Sequence, residues 1–277
     1  VDVQRNPARV AVIIRAWGRN GLSRCIYWGE LSAHHSTVDP KDGVWKDLDA
    51  LLFQPFKTEA GYPMFLSAVS IDAGDGFTSD AVYNWVRTRE KQYSRCLVMA
   101  IKGSSSSKDP EIFVTPRSKS IDHKNPQKAT KADKKGVKVY IVGTNKAKDW
   151  IAGQLKLLTQ GVKKFLYYTG IRDDYFEQIL GEVKAPDRSG RMTWQEKPGQ
   201  PHEVLDCEGY ALHAARAKRI HLMTPEQWDA LEYELGQSDL FGKPEPEPEV
   251  VEEVEETESA PVDDWMGDYA DSGDDWL

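Results

Sequence analysis

The stretch FLSAVSIDAGDGFTSDAVYNWVR, residues Phe65 to Arg87, decides how the chain is read. Its apolar run from Phe65 to Ile71, with β-branched Val69 and Ile71 and glycines on either side, has the length and composition of a buried strand. The run ends on a carboxylate, Asp72. Ala-Gly-Asp-Gly follows as a turn, and Thr78-Ser79-Asp80 offers capping side chains for a helix expected to begin near Ala81. In open α/β sheets chemistry sits at the carboxyl ends of strands, so an acid placed there is a site candidate before any motif is named.

Before this stretch, residues 1–4, 9–17 and 25–31 read as three antiparallel strands in a meander. Trp45 to Gln54 reads as a helix with Leu48, Leu51 and Leu52 on one side, closed by Pro55. After it, the spacing predicts a helix to about Gln92 and a short strand from Cys96 to Ile101, a strand-helix-strand order that implies parallel pairing. Residues 103–136 show no periodicity and carry eight Lys or Arg against four acids, so a mobile basic loop is expected. Then come strands at 137–142 and 165–168, helices at 146–158 and 173–182, an extended 190–196, and helices at 202–219 and 225–235, the last capped by Thr224. The expected architecture is α/β, a mixed sheet flanked by helices.

The net charge of -8 hides a division. Residues 243–277 hold 14 acids and one base, Lys243, whereas the first 242 residues hold 35 bases and 30 acids. A mildly basic body suits a polyanionic partner. The tail PEPEPEVVEEVEETESAP lacks the apolar area to offset ordering entropy and is expected to be disordered, giving a body of residues 1–242 and an acidic tail of residues 243–277. Its end, DDWMGDYADSGDDWL, interleaves Trp265, Met266, Tyr269, Trp276 and Leu277 with acids, as segments that fold onto a partner do. Cys25, Cys96 and Cys207 make no CxxC pair, which argues against a disulfide framework or a zinc site. No run approaches the roughly 18 apolar residues of a membrane span. The chain opens on Val1 instead of Met and is expected to be a processed product or a piece cut from something longer.

Two further acids sit in apolar surroundings: Asp2 between Val1 and Val3, and Asp206 among Val204, Leu205, Cys207 and Ala211. Taken singly each has an ordinary reading, Asp72 as a turn or cap residue, Asp206 as a helix cap partner or ion-pair member and Asp2 as part of a frayed terminus. If the first strand lies beside the Asp72 strand, all three converge. Crowded carboxylates repel, and the usual remedy is a hard divalent cation with oxygen ligands. Two such ions about 4 Å apart activate water and steady the leaving oxygen of a phosphodiester. Asp75 and Glu203 stand close in sequence and are candidates to orient these ligands, or are simply solvated. Lys102, after the strand LVMAI, is placed either to touch a phosphate or to cap a turn. In the basic loop Lys108, Arg117, Lys119, Lys124, Lys128, Lys131, Lys134 and Lys135 either clamp backbone phosphates or form a solvated face.

The phrases VDVQ, RAWGR, YWGEL, SIDAGDGFTSDAVYNWVR, AIKG, VYIVGTNKAKDWI, DDYFEQILGE, GRMTWQE and HEVLDCEGYALHAAR, in that order over residues 1 to about 220, resemble the nuclease domain of the large terminase subunit of tailed bacteriophages, in the branch similar to phage lambda. The resemblance implies an RNase H-like fold and the cutting of concatemeric viral DNA with Mg²⁺ or Mn²⁺, two ions held by Asp2, Asp72 and Asp206. It also implies double-stranded DNA, a small terminase subunit and a portal or procapsid as partners, the last engaged through residues 263–277, in the cytoplasm of an infected bacterial host. The family joins an N-terminal ATPase motor to this nuclease; nothing here matches GxxxxGK[ST], so this chain alone is expected neither to bind ATP through a P-loop nor to move DNA. His202 stands where the family pattern has Asn before Glu-Ala-Leu-Asp-Cys. The rival reading is a packaging-complex adaptor without catalysis, binding DNA or portal through the basic loop and the tail. A different RNase H-like nuclease, such as a resolvase, is a third, marked by a preference for branched DNA. Deleting residues 243–277 is expected to spare cleavage and weaken binding to immobilised portal; portal binding unchanged by the deletion would remove the role given to the tail.

Overall fold

The computed structural model describes residues 1–58, 61–104, 110–116 and 130–237. The expected disorder of 243–277 and the positions of Lys108, Arg117, Lys119, Lys124 and Lys128 lie outside the described residues.

The N-terminal meander is β1 (Asp2–Arg5), β2 (Ala8–Trp17) and β3 (Ser23–Ser32), each pair antiparallel. Helix α1 (Val44–Leu52) and the hairpin β4 (Phe56–Lys57) and β5 (Pro63–Met64) lead to β6 (Ala68–Asp72). The strand is shorter than its apolar run suggests. Phe65, just beyond the hairpin, is 59 % exposed and takes no part in it. Then follow α2 (Ser79–Gln92), β7 (Leu97–Gly103), β8 (Phe113–Val114), α3 (Lys131–Lys135), β9 (Val139–Val142), α4 (Thr144–Thr159), β10 (Phe165–Tyr167), α5 (Asp174–Ile179), the hairpin β11 (Glu182–Pro186) and β12 (Met192–Glu196), α6 (Glu203–Ala217) and α7 (Pro225–Gln237).

Three expectations need correction. Residues 103–136 are not one loop, because β8 pairs with β9 and α3 forms behind a Thr130–Asp133 capping box. No side chain caps α2: Thr78 instead donates to Asp75, whose carboxylate also receives the Phe77 amide and so shapes the turn. The helix expected over 173–182 stops at Ile179, and at Gly181, where a Cβ would meet the Pro201 carbonyl oxygen at 2.3 Å, the backbone passes close to the segment before α6. The chain then leaves as β11. At α7 the Thr224 cap is present, its Oγ1 accepting from the Gln227 amide.

Two four-stranded sheets run β10-β3-β2-β1 and β6-β7-β9-β8, with β6, β7 and β9 parallel. They are joined at the first residue. The Val1 nitrogen donates to Ser70 O and the Asp72 amide donates to Val1 O, both at 3.0 Å, which is the pattern of a parallel bridge. Among the described residues the result is a single eight-stranded mixed sheet with an antiparallel N-terminal meander, an RNase H-like arrangement. The bridge sets Val1 against Ile71, and therefore Asp2 against Asp72.

Strand alternation then assigns the faces. Val1, Val3, Val10, Val12, Ile14, Val69, Ile71, Val98 and Ala100 pack with α1 and α2 in one core. Asp2, Ser70 and Asp72 fall on the opposite face, where α4, α5 and α6 cover Ala11, Ile13, Met99 and Ile101. Helix α6 is fastened to this face at several points. Arg9 of β2 reaches Glu203 at 2.6 Å, the Cys207 thiol donates to Ala11 O at 3.5 Å, and the His213 ring shares a 2.8 Å hydrogen bond with Ser70 of β6. Deepest is Arg15, whose fork meets both Glu208 oxygens at 2.6 Å with side chains 1 % and 0 % exposed, while Tyr175 of α5 donates to Glu208 as well.

Removing one member of such a buried pair strands the other charge. Glu208→Ala is therefore expected to destabilise the fold by about 3–5 kcal/mol, and Arg15→Met with Glu208→Leu to recover most of that loss, as read by denaturant unfolding. Burial also holds His213 neutral, its pKa lowered to about 4. The unfolded chain takes up this proton near pH 6.5 and the folded chain does not, so the stability contributed by neutral His213 is whole above pH 6.5 and is lost as pH falls towards 4. The loss should approach about 3 kcal/mol and be missing in His213→Leu, when unfolding midpoints at pH 7, 5 and 4 are compared.

Candidate metal centre

The site lies where β1, β6 and the first half of α6 meet. Asp2 and Asp72 come from neighbouring strands in the same register, and Asp206 from the first turns of α6, where the helix dipole favours an acid. Gln178 of α5 accepts from the Val204 amide at 3.3 Å and so positions the start of that helix.

These three acids sense one another. Burial pushes the Asp2 carboxyl up to about 7, with the Asp206 and Asp72 charges adding to the rise. Asp72 is pushed up to about 6, first by burial and then by Asp206, even though it accepts from the Gly74 amide at 3.0 Å. Tyr210, one turn beyond Asp206, is held well above its ordinary value by burial, reinforced by the same three acids. Asp2 and Asp72 stand in register on neighbouring strands, and the charge of Asp206 acts on both.

The fold adds three residues to the cluster. Glu182 opens β11, and its donor atom, one from His202 and one from Asp206 all lie within 4.8 Å of one another. Lys148 of α4 stands between two of them, its Nζ 2.5 Å from Glu182 Oε1 and 2.9 Å from Asp206 Oδ1. Burial opposes the Lys148 ammonium, but the charges of Asp206 and Glu182 prevail and raise its pKa. Gly209 of α6 faces Ala147 of α4, where an added Cβ would stand at an ordinary contact distance of 3.7 Å. Beside the cluster opens a cleft of about 530 Å³, lined by Thr144, Asn145, Lys148, Glu182, Arg191 and Trp194.

The other candidates fall elsewhere. Asp75 pairs with Arg5 at 3.0 Å and organises the turn after β6, while Glu203 pairs with Arg9 and ties the first turn of α6 to β2. Lys102 is half-buried near the end of β7, one residue past the partner of Asp72. Lys131 and Lys135 pair with Asp80 on α2, and Lys134 is exposed.

The donor set fits a divalent cation. Carboxylate oxygens dominate it, Asp2 and Glu182 are buried while Asp72 and Asp206 are partly so, and His202 Nδ1 is buried with no hydrogen-bond partner. The family model for the terminase large subunit gpA, endonuclease domain, matches residues 1–228. The chain belongs to this family. Comparisons with curated proteins and with solved structures found no match.

The terminase endonuclease domain is a DNA nuclease that serves viral genome packaging, and among its described residues no helix is long and apolar enough to cross a membrane. Glu182 was missed in the sequence because 173–182 reads as one helix. The signal was nonetheless there: Gly181, the alternating EVKAP, the turn DRSG and then RMTWQE spell a hairpin. Nothing in the spacing of Lys148, on a helix separated from α6 by a strand, a helix and a hairpin, connects it to Asp206.

Proposed function

We propose that this chain cuts double-stranded viral DNA by hydrolysing a phosphodiester with two divalent ions, Mg²⁺ or Mn²⁺. The observation that carries this reading is the shared position of Asp206, which belongs both to the group with Asp2 and Asp72 and to the group with Glu182 and His202. Asp2, Asp72 and Asp206 are the ligands carried by the sequence motifs, and Glu182 and His202 complete the second group. When bound, such ions supply a nucleophile from water near neutral pH and neutralise charge on the departing 3′ oxygen.

The chain's own task is to hold its carboxylates on one rigid face. Asp2 and Asp72 are fixed by sheet register, and Asp206 is fixed by the ion pairs that fasten α6. Such placement removes most of the orientational entropy that a flexible ligand set would lose in binding. The adjoining cleft, with Arg191 and Trp194 on the β11–β12 hairpin, gives a strand of DNA a polar and aromatic wall next to the acids. In the packaging complex the small terminase subunit and the portal, the latter through residues 263–277, are its proposed partners within the infected bacterial host, and an N-terminal ATPase domain supplies the motor.

Asp72→Asn and Asp206→Asn should each lower nicking of supercoiled plasmid in Mg²⁺ or Mn²⁺ by about a thousandfold or more with unfolding midpoints near wild type. Nicking retained by both variants would overturn the assignment and leave the adaptor reading in its place.

A further inference from the structure

The Lys148 ammonium lies 2.5 Å from Glu182 Oε1 and 2.9 Å from Asp206 Oδ1, two donors of the Glu182–His202–Asp206 group. A divalent ion held by the same two oxygens needs about 2.0–2.6 Å to each. The two cations therefore compete for one point, and at such separations their repulsion is severe in a site this enclosed, where the Lys148 and Glu182 side chains are 11 % and 5 % exposed.

An ion pair that only braced the fold would need neither the third donor, His202, nor an outlet. Here His202 Nε2 stands 3.7 Å from Asp206 Oδ2, on a ring whose Nδ1 is buried without a partner. An outlet is also present. Lys148 borders the cleft shared with Thr144, Asn145 and Arg191, and its four-carbon stem gives the ammonium room to swing there without moving α4.

We infer that Lys148 is a tethered cation that occupies the second ion's place, holds Glu182 and Asp206 together until that ion arrives, and must withdraw into the cleft for it to bind. The inference rests on the two-ion reading above and adds a control to it: the ion at Asp2 and Asp72 binds freely, while the ion at Glu182 and Asp206 must displace a resident charge. A positive charge held beside the bound ion weakens the site even after withdrawal, so loading of the second ion becomes the conditional step.

Binding of Mn²⁺ to the whole chain, followed by the electron paramagnetic resonance of free Mn²⁺, tests this without reference to cleavage. Wild type is expected to show one stronger and one weaker ion, and Lys148→Met to tighten the weaker by about tenfold while leaving the stronger within about twofold, as removal of one neighbouring like charge should. Lys148→Gln removes the charge but keeps a donor for Glu182; it should behave alike and serves if the methionine variant does not fold. Lys148→Arg should keep the weaker ion weak. If charge removal leaves the second ion's affinity unchanged or lowers it, the inference is overturned while the two-ion reading stands. If neither wild type nor the neutral variants bind Mn²⁺ saturably, both fall together.

Discussion

The helix α6 has to lie at one height and angle across three strands, and the interaction that sets it is the buried pairing of Arg15 with Glu208. An isolated charge at such depth is prohibitive, so the guanidinium admits one helix position, the one that presents both carboxylate oxygens to its fork. Arg9 to Glu203 repeats the restraint at the helix start, and Ser70 to His213 fixes the far side against β6. Asp206 sits between these restraints. Buried ion pairs add little net stability compared with a well-packed apolar alternative, so the return here is geometric specificity.

What the restraint delivers is a set of carboxylates that would not assemble unaided. Asp2 and Asp72 are brought side by side by a parallel bridge that uses only Val1, Ser70 and Asp72 backbone groups. Burial and the neighbouring acid charges together push the Asp2 and Asp72 carboxyl groups up, to about 7 and about 6. On the Glu182 side the same fold places the Lys148 ammonium between Glu182 and Asp206.

The sequence by itself determined the order of the elements, the strand that ends in Asp72, the antiparallel meander, the parallel strand-helix-strand unit and the capped α7. These follow from periodicities of two and 3.6 and from turn residues, which act over a few positions. The family resemblance named Asp2, Asp72 and Asp206 because each lies in a contiguous phrase. Only the tertiary structure decided that Val1 bridges Ile71 and that Arg15 seizes Glu208. The end of α5 at Ile179, which leaves Glu182 as the first residue of a hairpin, and the reach of Lys148 into the acid cluster belong to it as well. The physical reason is range: backbone propensity is local, whereas desolvation, charge pairing and the close approach allowed by a missing Cβ act between residues that only the finished fold makes neighbours.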